Sequence, residues 1–102
     1  MTRQRLSAEF IRALRNEIVI NDLVISILKL PCKYSEGYLR FLCPLCCEFR
    51  TATNQKTNLA RCFRCQKNFN PIDMVMMVKN HRFIEAVRFL EPLLPSQRQT
   101  PR

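Results

Sequence analysis

Glycine is almost absent: Gly37 is the only one in 102 residues, and there is no tryptophan and a single histidine, His81. With one glycine, no phosphate-cradling glycine-rich loop can be built. Acidic residues are also scarce, eight against seventeen Lys and Arg, and they are scattered. Two-metal polymerase or nuclease chemistry needs clustered carboxylates, so no catalytic set is visible and the chain reads as a non-enzyme. Long apolar runs are missing too. The most apolar stretch, Ile18 to Leu30, is interrupted by Asn21, Asp22 and Lys29 and is too short to span a bilayer. The start, MTRQRLSAEFIRAL, is charged and amphipathic rather than a secretory signal, which implies a cytoplasmic protein with reduced thiols.

What is present is cysteine and positive charge. The formal net charge is +9, and hydrophobic residues make up 47%. That combination describes one folded domain with a thin core and a polyanionic partner, nucleic acid foremost. The six cysteines include two Cys-x-x-Cys pairs, Cys43-Pro-Leu-Cys46 and Cys62-Phe-Arg-Cys65, with fifteen residues between Cys46 and Cys62. Two intervening residues let both sulfurs of a pair reach one ion from a single tight turn, and the gap suits two strands and a turn. The pattern predicts one structural Zn2+ on Cys43, Cys46, Cys62 and Cys65. Four ligands leave no open coordination position, so the site is structural rather than catalytic. A redox pair on a βαβ scaffold has no support in the pattern, whereas an iron–sulfur cluster is open on ligand count alone. Cys47 adjoins a ligand and Cys32 lies upstream; both read as non-ligands. His81 lies between two helices and reads as solvated or capping.

Around these pairs the periodicity predicts a small α+β fold: an antiparallel β-hairpin zinc ribbon flanked by N- and C-terminal helices. Ser7 caps a first helix carrying Phe10, Ile11 and Leu14 and ending near Asn16. A second runs from about Asn21 to Leu28, with Leu23, Val24, Ile27 and Leu28 buried. GYLRFLC, FRTAT and NLARCF read as strands, and NQKTN as a polar turn. Asn70 caps a third helix with Pro71 at its first position and Asp73 in its first turn, burying Ile72, Val75 and Met76 on the same side as Lys79; Asn80 ends it. Phe83, Val87, Leu90 and Leu94 mark a fourth. Residues 1–94 form the domain, and 95–102, PSQRQTPR, read as a disordered polar tail.

Between Lys33 and Lys67 there are seven basic residues and two acidic ones. The surplus of five falls to three once the charge of a zinc tetrathiolate is counted, so compensation of the site alone does not account for it. Tyr34, Tyr38, Phe41, Phe49, Phe63 and Phe69 are interleaved with these cations. Flat rings beside guanidinium groups suit unpaired bases, with cations following phosphates; core packing is the competing role for each ring.

The run GYLRFLCPLC, ARCFRC, NFNPIDMVMMV and FIEAVRFL, after an N-terminal helical pair, resembles the zinc-binding domain of bacterial DnaG-type primases. Phe10–Ile11, Ile20–Leu30, the four cysteines, Asp73–Val78 and Glu85–Val87 fall in that family's order, and the likeness covers about residues 7 to 94. The family's second ligand is usually histidine, and here it is Cys46; the spacing is slightly shorter, and the glycines that commonly follow the last ligand are replaced by QKNFNP. The resemblance implies binding of single-stranded template DNA on the sheet face, as a stand-alone module without the catalytic domain and an accessory to a replicative primase, polymerase or helicase. By the strand reading Lys33, Arg40 and Arg61 occupy that face and Arg50 and Lys56 lie on or near the hairpin; Tyr38, Arg64 and Lys67 are further candidate nucleic-acid contacts. A protein-interaction adaptor, with zinc as a staple and IDMVMMV as the docking helix, is the alternative.

Overall fold

The computed structural model describes residues 6–95; most of the expected 95–102 tail lies outside them. Helix α1 spans Ala8–Glu17, and the Ser7 hydroxyl accepts from the Phe10 N–H at 3.0 Å, as its N-cap position requires. Phe10 and Leu14, one turn apart, are its buried face. Helix α2, Ile20–Asp22, runs directly into a π-helical stretch, Leu23–Ile27, closed by Leu28 N–H to the Leu23 carbonyl at 2.8 Å. The helical segment is therefore one residue earlier than its periodicity indicates. Leu23 and Val24 are fully buried, but Ile27 and Leu28 only half so.

Five strands follow. β1 (Cys32–Ser35) and β2 (Tyr38–Phe41) form a hairpin across Glu36-Gly37. Both turn residues have positive φ, 57° and 81°, the condition of a two-residue type I′ turn, so the one glycine sits where it relieves strain most. β3 (Thr51–Asn54), β4 (Leu59–Cys62) and β5 (Lys67–Phe69) form a three-stranded antiparallel sheet. Sequence periodicity missed β1 and β5. β1 is an exposed edge with no alternation of burial, and β5 is only three residues long. The ribbon is thus two sheets rather than one hairpin.

Thr51 joins the two sheets. Its hydroxyl donates to the Phe41 carbonyl at 2.6 Å and accepts from the Phe41 N–H at 2.7 Å, and Arg40 donates to the Thr51 carbonyl at 2.8 Å. A buried side chain thereby satisfies backbone groups that a neighbouring strand would otherwise pair.

Helix α3 (Pro71–Val78) begins with the expected Asn70 cap, reinforced by a reciprocal bond from the Asn70 N–H to Asp73. Its buried residues are Pro71, Ile72, Met74 and Val75, while Lys79 is exposed. It ends at Asn80 (φ 57°), where His81 N–H reaches back to the Met76 carbonyl, a Schellman closure. The lone histidine's backbone does the capping; its ring packs edge-on to Phe89 at 6.0 Å. Helix α4 (Phe83–Leu90) buries Ala86, Val87 and Leu90, with Phe83 exposed, and a 3-10 turn over Glu91–Leu93 is the last element among the described residues. Among the described residues no helix is long and apolar enough to cross a membrane.

Alternation in the strands divides the sheet. Leu39, Phe41, Thr51, Thr53, Ala60, Cys62 and Phe69 face inward, and all but the two threonines join one apolar cluster with Phe10 and Leu14 of α1, Met74 and Val75 of α3, and Val87 and Leu90 of α4. Among the described residues no helix covers the opposite face.

Asn58, at the tip of the β3–β4 turn in a left-handed conformation (φ 57°), ties this sheet to the N-terminal helices. It accepts from the Ile20 N–H at 2.8 Å and donates to the carbonyls of Arg15 at 2.6 Å and Ile18 at 2.7 Å. Those groups are the unpaired backbone ends at the α1–α2 corner. Asn58→Ala is expected to lower stability by about 2–4 kcal/mol, from roughly 1 kcal/mol per bond lost. Asn58→Asp should be no better, since it presents oxygen to two carbonyls. Chemical denaturation of zinc-loaded protein is the check, and an Asp variant as stable as wild type would remove this role.

Candidate functional site

The two Cys-x-x-Cys turns stand at one end of the strands. The first joins β2 to β3 and the second joins β4 to β5. Cys43 follows β2, where its N–H donates to the Glu48 carbonyl at 3.0 Å, and Cys47 N–H returns to the Cys43 carbonyl at 2.9 Å. Cys62 ends β4, opposite Thr51 and Lys67. The neighbouring Phe63 N–H bonds the Arg50 carbonyl at 2.8 Å, bringing the two turns side by side. In each turn an amide points at the first sulfur: Leu45 N–H at Cys43 Sγ and Cys65 N–H at Cys62 Sγ, both 3.4 Å. Such bonds stabilise thiolate and hold it for a metal.

The residue after each pair, Cys47 and Gln66, has φ of 61° and 57°. These are the positions where glycine would be cheapest, since L-residues bear a cost of roughly 1–2 kcal/mol there. Scarcity of glycine therefore does not leave the knuckles without their left-handed turn; other residues adopt it. Cys47 thus has a backbone role, and its side chain points to solvent. Cys32 is also exposed, at the start of β1, not packed.

The sulfurs of Cys43, Cys46, Cys62 and Cys65 all lie within 4.8 Å of one another, with Cys43–Cys65 at 3.9 Å and Cys46–Cys62 at 3.6 Å. A tetrahedral ion with zinc–sulfur bonds of 2.3 Å places its sulfurs about 3.8 Å apart. The donor set therefore fits zinc in number, chemistry and spacing. Protonated, the cluster is internally frustrated. Burial pushes the Cys65 thiol up to about 12, assisted by hydrogen bonds with the other sulfurs and by Cys43. Burial raises Cys46 as well. Cys62 moves the other way, down to about 7: burial resists its ionisation, but the Cys65 amide and the surrounding thiols outweigh that. One sulfur ionises readily and its neighbours then resist, so a bound dication is what ionises the set.

This is the zinc centre of a zinc ribbon, with one structural zinc ion held by four cysteines. The chain belongs to the CHC2 zinc-finger family, whose model matches residues 6–99, and is a primase-like zinc-binding domain. Its departure is the second ligand position, where Cys46 stands. No curated protein matches the chain.

Beside the zinc end lies the open face of the sheet. Cross-strand partners share a face, so Lys33 opposite Arg40, and Ala52 opposite Arg61 opposite Asn68, line up across it. Tyr38 and Phe63 flank them, with the Arg40 guanidinium 5.6 Å from the Tyr38 ring and that of Arg61 5.6 Å from the Phe63 ring. Between the two pairs is a shallow hollow of about 500 Å³, lined also by Asn54, Thr57, Leu59 and Asn68. Lys33 stacks over Phe49 at 5.0 Å.

The structure thus brings together Lys33, Tyr38, Arg40 and Arg61. Arg50 and Arg64 are exposed beside the knuckles, and Lys56 is at the hairpin tip. Lys67 departs from the expected group: it pairs with Cys62 and projects to the opposite face, beside Met76 and Met77 of α3. A strand that sequence patterning missed left its facing unread. Arg40 is partly committed, holding Thr51 and an exposed ion pair to Glu36 at 3.0 Å. Arg61 gives one bond, 3.0 Å to Asn68 Oδ1, and keeps its other N–H groups. Asn54, Thr51 and Asn68 carry no sequence signal; their positions follow from register.

Cys62→Ser is expected to abolish stable zinc binding, whereas Cys47→Ser keeps the metal; zinc content after gel filtration distinguishes them. Thiolates bind the metal and thiols do not, so protons compete as pH falls. Zinc release to a chromophoric chelator should therefore rise between about pH 8 and about pH 5, and a flat profile would count against a tetrathiolate site.

Proposed function

We propose that this protein binds single-stranded nucleic acid, template DNA foremost, on the open sheet face, and that it serves as a cytoplasmic accessory to a replication or primase enzyme without catalysis of its own. The observation that carries this reading is the pair of arginine–aromatic stacks bordering one hollow on a face that none of the described helices covers. Such a surface offers rings to unpaired bases and cations to the phosphates between them. Charge placement supports it. Among the described residues outside 33–67, six basic residues (Arg12, Arg15, Lys29, Lys79, Arg82, Arg88) meet six acidic ones (Glu9, Glu17, Asp22, Asp73, Glu85, Glu91). All the positive surplus of the described residues therefore belongs to the ribbon.

An adaptor role has one observation in its favour, a smaller hollow of about 270 Å³ between Leu45 of the first knuckle and Met76 and Met77 of α3. Methionine-lined surfaces accommodate varied partners. Fluorescence anisotropy with labelled single- and double-stranded oligonucleotides separates the two readings. The expected result is preference for the single strand, with affinity falling linearly in log salt. Arg61→Ala should weaken binding and reduce the salt slope by about one. Failure to bind either oligonucleotide at moderate salt would favour the adaptor.

A further inference from the structure

We infer that the hollow on the open sheet face selects unpaired keto bases, thymine, uracil or guanine, over the amino bases adenine and cytosine. This rests on the nucleic-acid reading above and adds base identity to it. The inference follows from which way two side-chain amides must face.

Asn68 lies across from Arg61 and accepts its guanidinium N–H through Oδ1 at 3.0 Å. A guanidinium has no acceptor, so the amide cannot turn over without setting donor against donor. The Asn68 NH2 group is therefore directed away from Arg61. Asn54 is constrained in the same manner: its Oδ1 accepts from the backbone N–H of Lys56 at 2.9 Å and of Thr57 at 3.4 Å, the hydrogen bonds of an Asx turn. Backbone amides also only donate, so the Asn54 NH2 group is the end left over. Among the described residues neither NH2 group has a partner. Both asparagines line the hollow, together with Arg40 and Arg61, whose uncommitted N–H groups are donors as well. The side-chain acceptors there are the hydroxyls of Tyr38, Thr53 and Thr57 and the remaining lone pair of Asn68 Oδ1.

A base lodged against Tyr38 or Phe63 thus meets a wall of donors. Thymine and uracil present O4, and guanine presents O6 and N7, all acceptors. Cytosine and adenine carry an amino group at the corresponding place, so donor faces donor and the lost water is not replaced. Stacking by itself is tolerant of base identity, so any selectivity at this face comes from its donors, the two amides together with Arg40 and Arg61.

The test is anisotropy at fixed salt and about pH 8 with labelled oligo-dT and oligo-dC, pyrimidine strands of equal charge. A second pair has a mixed sequence with adenosine or with inosine at the same positions, which exchanges amino for keto on one purine ring system. The expected result is tighter binding of oligo-dT, by about fivefold or more, and of the inosine strand in the same direction. Asn68→Asp and Asn54→Asp each keep the oxygen their partners require and replace the free donor by an acceptor. In both variants overall affinity falls, and the dT:dC ratio should drop toward one; it is the ratio that is read, on protein retaining its zinc. Equal binding of the keto and amino strands, or tighter binding of the amino strands, overturns the base selectivity and leaves the nucleic-acid reading standing. Wild-type selectivity that both variants retain overturns the assignment to these amides. No binding of any strand overturns both readings.

Discussion

Four sulfurs sharing one ion is the constraint on which this small protein depends. The first pair joins β2 to β3 and the second joins β4 to β5, so the metal closes both strand connections at one end of the ribbon at once. The amides of the turns are spent on the sulfurs, and the residue after each pair is held left-handed without glycine. A domain this size buries a modest core, and Cys43 and Cys62 are themselves fully buried members of it. Metal binding and folding are accordingly one process here, as in other small zinc domains.

The rest of the ribbon is held by side chains that replace missing backbone partners. Thr51 does this between the two sheets, and Asn58 does it at the opposite end, where it satisfies the corner between α1 and α2. Both are small polar residues placed so that donor and acceptor are used together. Zinc at one end and Asn58 at the other tie down both ends of the sheet, with helices on one side and the arginine face on the other.

That two-sidedness is what makes the face usable. Inward residues are mostly apolar because three helices cover them, and outward residues are free to carry charge, stacking rings and directed amides. Among the described residues charge balances outside the ribbon and the excess lies on it, so long-range attraction and short-range contacts coincide there. The family establishes the zinc ribbon; the face is where this chain's own residues give it character.

Much of this was legible in the chain. Ligand number and identity follow from two Cys-x-x-Cys pairs, because that spacing lets both sulfurs of a pair reach one ion from a single tight turn. The caps at Ser7 and Asn70 and the stop at Asn80 were equally plain, since they are local backbone chemistry. β1 and β5 were not, one being an edge without alternation and the other too short to show a period. Missing β5 left the face of Lys67 unread, because one residue of register decides which face a side chain occupies. The sequence by itself determined the metal chemistry, the helices and the sign of the charge, all of which depend on near neighbours. Only the tertiary structure decided that Asn58 meets residues some forty positions away, that Thr51 joins two sheets, and which end of Asn54 and Asn68 is left to face the hollow. Those outcomes depend on partners that the chain brings together only by folding.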